Sequence, residues 1–421
     1  MREQVDLLIH SASQLLTLAS PGGPQRGTRL GDLGPIEHGA VAVRDGQVTM
    51  TGPTASIRDQ VAATQEIDAS GQLVMPGFVD PHTHVVFAGQ RANEFEQRIA
   101  GATYMEIMAV GGGIMSTVRA TRRATADDLV AQTLPRLDAM LAHGTTTAEA
   151  KTGYGLNVDD ELKMLEAIRR LNTAHPIDLV STFLGAHAIP AEYQGHAQVF
   201  TDLVMEEMLP AFAPYVEGTP PLFCDVFCED GAFSLAQSRR ILERAQELGF
   251  GLKIHADEFK PLGGTALAVE LGAISADHLV CTPPQEIEAL GRSPTIAVAL
   301  PGTPFGLGHQ TYTPARAIIK AGGSLALATD INPGTCYCES MQFIIALACR
   351  YMRLTPAEAI AAATINSAHA VGLGEVVGSL EPGKQADILI LDVPDYQHLG
   401  YRFGSNLVRK VVKRGRVVGQ D

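Results

Sequence analysis

The middle of the chain alternates short strand-like runs with helix-like segments, and this alternation constrains the fold more than any other feature. Eight of these runs have the length and composition of strands: 78–80, 145–150, 178–184, 222–227, 252–255, 273–278, 295–300 and 324–330. Strands that alternate with helices form parallel sheets, and eight of them close a barrel. The sequence therefore predicts an α/β fold with a (β/α)8 TIM-like barrel over residues 76–370.

Helix start signals lie between these predicted strands. Thr125 and Asp128 form a capping-box pattern before an apolar-periodic segment that stops at Gly144. Thr355 and Glu358 repeat the pattern after the last predicted strand, with a proline at the first helical position. These signals support helices in the connections of the barrel.

Both ends of the chain are rich in strand signals. Short apolar runs at 5–9, 40–43 and 48–50 are matched near the other end by runs at 386–391, 411–412 and 417–418. Two β-rich ends that enclose a long alternating middle favour pairing of the ends with each other. We therefore predict one small β-sandwich domain built from residues 1–75 and 371–421.

The charge of the chain limits the kinds of partner that it can bind. Its 421 residues include 32 Lys and Arg against 46 Asp and Glu, which gives a net charge of −14. An acidic chain repels nucleic-acid phosphates and anionic lipid. We therefore predict a small-molecule partner rather than a nucleic acid or a membrane.

The sequence carries no signal for secretion or for a bilayer span. No apolar run reaches the length of a membrane helix, and residues 1–16 contain acidic residues instead of a signal-peptide pattern. The six cysteines are scattered, so we expect buried reduced thiols rather than a disulfide framework or a zinc ribbon. The prediction is a cytoplasmic protein.

His82 and His84 follow the first predicted strand. Side chains two apart on an extended segment point the same way, so one segment aims two imidazoles at a single point. Imidazole is a ligand for Zn, Fe, Ni and Cu. Alone, the pair is weak evidence, because two histidines can also lie on an exposed edge or be satisfied by hydrogen bonds in a core.

Further polar residues follow the other predicted strands at their carboxyl ends. They are His187, Glu229, Asp230, His255, His278 and Asp330. In a (β/α)8 barrel these ends meet at one face, where the active sites of this fold lie. Each residue alone could cap a helix or bond to a loop, but together they indicate an active site.

The segment PGFVDPHTH at 76–84 resembles the first-strand motif of the amidohydrolase superfamily, and the resemblance extends over essentially the whole chain. Segments 151–156, 184–190, 255–259, 276–279 and 328–335 resemble one subfamily in particular. That subfamily hydrolyses the ring amide of 4-imidazolone-5-propanoate to N-formimidoyl-L-glutamate in histidine degradation. The alternatives are another cyclic amidohydrolase or deaminase of the superfamily, and a non-catalytic barrel.

The resemblance implies one Zn or Fe ion per chain, held by His82, His84, His255 and Asp330. Three neutral imidazoles and one carboxylate leave room for a water, as a catalytic site requires. Some relatives bridge two ions with a carboxylated lysine after strand four. Lys151 follows strand two instead, so we expect a single ion.

The expected catalytic residues are Glu258, His278 and Asp330. Glu258 could take a proton from the water or pass one to the leaving nitrogen, and His278 could polarise a carbonyl or stabilise an oxyanion. Two alternatives stay open at this point. Glu258 could instead orient His255, and His278 could be a ligand in place of Asp330.

Arg91 matches the family's partner for the substrate carboxylate, for which a guanidinium is well shaped. The alternative for Arg91 is an ion pair with Glu94 or Glu96, and Tyr154 could be a packed loop aromatic. The resemblance also implies a homodimer. It implies further substrate or product contacts at Tyr154, His187, Glu258, Asn332, Gly334 and Thr335.

Overall fold

A computed structural model describes residues 2–102, 106, 111–218 and 222–418. Its strands are β1 (Glu3–Leu16), β2 (Pro35–Arg44), β3 (Gln47–Pro53), β4 (Val61–Asp68), β5 (Leu73–Pro76), β6 (Phe78–Asp80), β7 (Thr145–Lys151), β8 (Asp178–Ala186), β9 (Phe223–Cys228), β10 (Gly251–Ala256), β11 (Ser275–His278), β12 (Ile296–Ala299), β13 (Leu325–Leu327), β14 (Ile388–Leu391), β15 (Val408–Lys413) and β16 (Arg416–Val418).

The same residues form helices in most of the connections. These are α1 (Thr54–Gln60), α2 (Ala92–Ile99), α3 (Ile114–Arg123), α4 (Ala126–Ala142), α5 (Val158–Ala174), α6 (Ala197–Leu203), α7 (Leu209–Phe212), α8 (Leu235–Glu247), α9 (Gly264–Leu271), α10 (Pro284–Arg292), α11 (Gly302–Leu307), α12 (Ala315–Lys320), α13 (Met341–Tyr351), α14 (Pro356–Ala362), α15 (Ile365–Ala370) and α16 (Gln397–Tyr401).

Strands β6 to β13 lie side by side in chain order and pair in parallel. All eight predicted barrel strands are therefore confirmed. The first and last strands meet through the segments that follow them. The backbone N–H of Asp330 donates to His82 at 3.1 Å, and that of His84 donates to Ile331 at 3.0 Å. These bonds bring the first and last strand ends to the same point of the rim.

The strands from the two chain ends form one mixed sheet, in the order β16-β15-β14-β5-β1-β2-β3, with β4 also paired to β1. β5 joins the ends, because it pairs in parallel with β1 and antiparallel with β14. Buried side chains of both ends share one cluster, which includes Leu7, Ile9, Ile388, Ile390 and Val412. The fold class is thus confirmed, and the division at 75 and 370 stays a prediction.

The predicted capping boxes are present at two helices. The Thr125 side chain accepts from the backbone of Asp128 at the start of α4, and the Thr355 side chain accepts from Glu358 at the start of α14. Gly144 follows α4 with φ +97°, a left-handed conformation that favours glycine. Helix α4 therefore ends where the sequence predicts, directly before β7.

The six cysteines have free thiols in the structure. Cys224, Cys228 and Cys336 are buried, whereas Cys281, Cys338 and Cys349 are partly exposed. Within residues 2–102, 106, 111–218 and 222–418, no helix combines the length and the apolar character needed to cross a bilayer.

Candidate metal centre

The four predicted ligands meet at the carboxyl-terminal face of the barrel. His82 Nε2 lies 3.7 Å from Asp330 Oδ1, and His84 Nε2 lies 3.6 Å from the same oxygen. His255 Nε2 lies 3.4 Å from His84 Nε2. Each of the four side chains is almost fully buried. Residues far apart in the sequence thus surround one point because parallel strands end at the same rim.

These separations suit a metal ion. Ligand atoms about 2.1 Å from one tetrahedral ion lie about 3.4 Å from each other. Nε2 of His82 is buried and has no hydrogen-bond partner within the described chain, although it faces the centre of the cluster. A buried polar nitrogen without a partner is costly unless something else satisfies it. The donor set and this nitrogen therefore fit a bound cation.

His82 belongs to three groups of buried residues whose ligand atoms lie within 4.8 Å of one another. One group adds His84 and Asp330, and another adds His255 and His278. The structure thus identifies a His/Asp cluster that could hold a metal ion. Both sequence alternatives, with Asp330 or with His278 as a ligand, remain compatible with these distances.

Two aspartates orient the histidines, and the sequence analysis missed both. Asp277 Oδ2 lies 2.6 Å from Nδ1 of His82, and Asp225 Oδ2 lies 2.9 Å from Nδ1 of His255. A carboxylate that accepts the Nδ1 proton leaves the Nε2 lone pair free for a metal. The signal was available, since both residues are charged positions within apolar strand segments.

A fully buried ion network lies beneath the cluster. Lys151 Nζ lies 2.6 Å from Asp225 Oδ2 and 2.8 Å from Glu149 Oε2. Lys253 Nζ lies 3.0 Å from Glu149 Oε1 and 4.0 Å from Asp277 Oδ2. Although burial alone would lower it, Asp225 and Glu149 hold the pKa of Lys151 above its ordinary value. Lys151 is therefore paired with two carboxylates within this network.

Asp330 is held by its neighbours as well as by its position. The Thr303 hydroxyl donates to Oδ2 of Asp330, and Oδ1 faces the histidines. Burial raises the pKa of this carboxyl to about 6. A nearby cation would favour the ionised form and oppose that effect.

The backbone has an unusual left-handed conformation at two residues of the cluster. His278 has φ +76° and Asp330 has φ +55°, and neither is glycine. Residues in this left-handed region are strained by about 1–3 kcal/mol each and cluster at functional sites. The surrounding bonds, such as Thr313 Oγ1 to the His278 carbonyl at 2.5 Å, hold that conformation.

Glu258 and His278 lie together at the edge of the cluster. Glu258 Oε1 is 3.7 Å from Nδ1 of His278. Burial, and then the carboxylates of Asp330 and Glu229, raise the pKa of Glu258 well above its ordinary value. Burial, and then His255, lower the pKa of His278 well below its ordinary value. Burial therefore disfavours the charged form of both groups in the metal-free cluster.

Tyr154 and His187 form an aromatic wall next to the candidate ligands. The rings of His187 and His84 stack at 4.9 Å, and the rings of Tyr154 and His187 lie 5.3 Å apart. Burial, and then His255, lower the pKa of His187 to about 3, so its ring is neutral. Tyr154 and His187, which were predicted to contact the substrate, thus lie beside the histidine cluster.

Arg91 lies near the same face but already has an anionic partner. Its Nε donates to Glu94 at 2.8 Å, and its Nη2 lies 2.7 Å from the same carboxylate oxygen. Glu94 is buried and also accepts from the backbone of Gly113. The alternative considered from the sequence, an ion pair with Glu94, is thus present. It leaves Nη1 without a bond to Glu94 and does not exclude a substrate contact.

Asn332 bonds chiefly to its own loop. Its Oδ1 accepts from the backbone of Gly334 at 2.9 Å and of Thr335 at 2.8 Å, and its Nδ2 donates to the Asp330 carbonyl at 2.7 Å. Asn332 therefore shapes the segment that carries Asp330. Gly334 and Thr335 line a surface cavity of about 860 Å³ together with Arg91, and the histidine cluster lies outside this cavity.

Glu229 and Asp230 lie away from the cluster centre. Glu229 accepts from the backbone of Phe259 and Lys260, whereas Asp230 pairs with the Lys260 side chain at the surface. Glu229 thus supports the loop that carries Glu258. Neither residue belongs to the groups of candidate ligand atoms within the described residues.

Comparison with known proteins places this site in a family. The family model described as "Amidohydrolase family" matches residues 65–109 and 108–419. The chain belongs to the amidohydrolase family. It is 58% identical over 420 residues to the imidazolonepropionase of Herpetosiphon aurantiacus, covering 99% of this chain and 98% of that protein. It is 53% identical over 422 residues to the imidazolonepropionase of Chloroflexus aggregans, covering 99% of each.

Solved structures share the fold at much lower identity. An adenosine deaminase from Xanthomonas campestris with bound zinc has a TM-score of 0.73 at 20% identity, over 100% of this chain and 96% of that chain. The guanine deaminase of E. coli has a TM-score of 0.73 at 16% identity, over 98% and 99%. These likenesses concern the architecture, a parallel barrel with a mixed sheet from the terminal strands.

Proposed function

We propose that the chain is an imidazolonepropionase, a cyclic amidohydrolase that opens the ring amide of 4-imidazolone-5-propanoate to give N-formimidoyl-L-glutamate. The observation that carries this proposal is identity above half over nearly the full length with proteins of that name. The buried His/Asp cluster at the barrel face supports it, since hydrolysis of an unactivated amide needs strong polarisation. In the reaction, water adds to the ring carbonyl carbon, the carbon–nitrogen bond breaks, and the ring nitrogen takes up a proton.

The proposed ligands of one Zn or Fe ion are His82, His84, His255 and Asp330. A bound divalent ion supplies Lewis acidity, which polarises the ring carbonyl and makes the attacking water more acidic. Asp277 and Asp225 fix the rings of two of these ligands through Nδ1. The Asp330 set is favoured over the His278 set because Thr303 and the backbone hold Asp330 toward the histidines.

Glu258 and His278 are proposed to handle the protons. A carboxyl whose pKa is raised by burial can donate a proton to the leaving ring nitrogen near neutral pH. A neutral imidazole can donate one hydrogen bond to the carbonyl oxygen as negative charge develops there. Asp330 contributes as a ligand and as an acceptor next to the attacking water.

Residues around the rim of the barrel are proposed to bind the substrate. Arg91 binds the propanoate carboxylate through donors not engaged with Glu94. Tyr154 and His187, which lie next to the His84 ring, pack against the ring of the substrate. Backbone N–H groups of the Asn332 loop, at Gly334 and Thr335, bind the product side.

Turnover of 4-imidazolone-5-propanoate by the purified chain, before and after chelator treatment, tests the proposal. We expect activity that is lost with the ion and restored by Zn or Fe, with about one ion per chain. Arg91→Ala should raise KM sharply, whereas Arg292→Ala, at an exposed position, should not. Turnover of a purine, pyrimidine or hydantoin but not of the imidazolone would favour a sibling enzyme of the family.

A homodimer and a cytoplasmic location remain predictions that accompany this function. Sedimentation velocity at micromolar concentration would test the first, since a dimer doubles the mass of the 44.7 kDa chain. Fractionation of the source cells would test the second.

A further inference from the structure

The loop of residues 152–156, here called the substrate loop, controls both rings of the aromatic wall. It carries Tyr154, whose side chain is buried next to the cluster. Its Gly153 carbonyl lies 2.9 Å from Nδ1 of His187, so it also fixes the orientation of that ring. Any shift of this loop therefore moves two of the proposed substrate contacts together.

One buried carboxylate accepts hydrogen bonds from three backbone N–H groups of the substrate loop. Glu161, in the first turn of α5, is fully buried. It accepts from the backbone of Gly153 at 2.9 Å, Gly155 at 2.7 Å and Leu156 at 2.8 Å. Hydrogen bonds from N–H groups to a carboxylate are stronger than neutral ones. Glu161 contacts none of the candidate ligands, so the metal centre does not explain its position.

An arginine holds the carbonyl groups of the same loop from the other side. Arg122 Nε donates to the Gly155 carbonyl at 2.6 Å, and its Nη2 donates to the Leu156 carbonyl at 3.1 Å. Arg122 Nη2 also lies 2.8 Å from Glu192 Oε1, which anchors the guanidinium. Glu161 thus binds backbone N–H groups of the loop, and Arg122 binds its backbone carbonyl groups.

The conformation that these bonds maintain is not one that the loop would adopt freely. Leu156 has φ +52°, and Gly153 has φ +101°. A Cβ added at Gly155 would lie 2.5 Å from the backbone nitrogen of Glu161. Such strained geometry persists where the surrounding structure fixes it.

We propose that Glu161 and Arg122 are positioning residues that set substrate affinity by fixing Tyr154 and His187 through the substrate loop. This inference rests on the proposed function. Neither residue is among the proposed ion ligands, proton-transfer groups or substrate contacts. Their effect on the reaction passes through the two rings, so it should fall mainly on KM.

Glu161→Gln is the first test, with Glu166→Gln on the exposed face of the same helix as its matched control. We expect KM to rise about tenfold in the first variant, with unchanged metal content and a smaller change in kcat. In combination with Tyr154→Phe the two effects on KM should not add. Additive effects, or a loss confined to thermal stability, would overturn the proposal.

Arg122→Gln is the second test and keeps the proposal testable if Glu161→Gln fails to fold, because Arg122 is partly exposed. Arg123→Gln, the exposed next residue, is its control. Hydrogen exchange of peptides covering 152–156 should accelerate in Arg122→Gln only, with a parallel rise in KM. Equal exchange and equal KM in the two variants would refute the inference. A wild-type chain without turnover would refute the proposed function, whereas the exchange rates would still report whether the two residues hold the loop.

Discussion

Replacing Lys151 with methionine removes one charge from the centre of the barrel and keeps an unbranched side chain that is one heavy atom shorter. The ammonium group is fully buried and lies within 2.8 Å of two carboxylates, Asp225 and Glu149. Asp225 in turn accepts from the backbone N–H of His255, and its Oδ2 lies 2.9 Å from Nδ1 of the same residue. The substitution therefore tests whether the charges beneath the metal centre depend on one another.

The expected cost follows from which carboxylate loses its cation. Glu149 keeps Lys253, whose Nζ lies 3.0 Å away, but Asp225 keeps only His255. Breaking one buried ion pair costs about 3–5 kcal/mol, because it leaves an uncompensated buried charge. Burial alone would raise the pKa of Asp225, and His255 with Lys151 hold it well below its ordinary value. Without Lys151, Asp225 should take up a proton more readily, so the loss should be larger at pH 8 than at pH 5.

Urea unfolding of the chelator-treated chain, followed by circular dichroism at both pH values, measures this loss. Lys260→Met is the matched control, because Lys260 also pairs with a carboxylate, Asp230, but at the surface. Exposed pairs contribute little to stability. Equal losses of unfolding free energy in the two variants, or a loss that does not depend on pH, would refute the reasoning.

Two further substitutions test the site. Asp277→Asn should weaken metal affinity about 10- to 100-fold in a chelator competition, because the ring of His82 loses its orienting carboxylate; unchanged affinity would remove Asp277 from that role. Burial raises the pKa of Asp80 from 3.8 to about 7. Between these pH values the folded metal-free chain holds a proton that the unfolded chain releases. The free energy of unfolding should therefore fall by roughly 4 kcal/mol as the pH rises from the lower value to the higher. Asp80→Asn should remove that fall in urea titrations, and an unchanged pH dependence would contradict the assignment.

The barrel could be predicted because its strands are buried on both faces. Strands of this kind are rich in apolar and β-branched residues, which distinguish them from the helices between them. The runs at 145–150 and 178–184 lie inside strands that extend by one or two residues at their carboxyl ends. Pairing of the two chain ends could also be predicted from their shared strand content. The order in which β5 joins β1 to β14 could not, because nothing local in Leu73–Pro76 specifies both partners.

The candidate ligands could be found because histidine and aspartate are unusual directly after apolar strands. Their orientation could not, since it depends on register between strands. His255 pairs with Asp277 across β10 and β11, yet Asp277 bonds the ring of His82, and it is Asp225 that lies 2.9 Å from Nδ1 of His255. A strand residue's neighbours lie on other strands, and one-dimensional spacing contains no information about them.

Arg91 shows a different limit of prediction from sequence. Its two readings from the sequence, a substrate contact and an ion pair with Glu94, are not exclusive, because a guanidinium has five donors. The Glu94 pair engages Nε and Nη2 and holds the fork in a fixed plane. A pair of this kind prepares the remaining donors for an anion, so the ion pair strengthens the case for a substrate contact.

The ion network beneath the candidate metal centre has more carboxylates than ammonium groups. Two ammonium groups, of Lys151 and Lys253, lie among the carboxylates of Glu149, Asp225 and Asp277, and Asp330 adds one more carboxylate at the rim. With every group ionised and the imidazoles neutral, the set carries two excess negative charges. Uncompensated buried charge is costly, and without a cation burial raises the pKa of both Asp277 and Asp330 to about 6. These six groups therefore carry more negative than positive charge beneath the histidine nitrogens, and a bound cation would offset it.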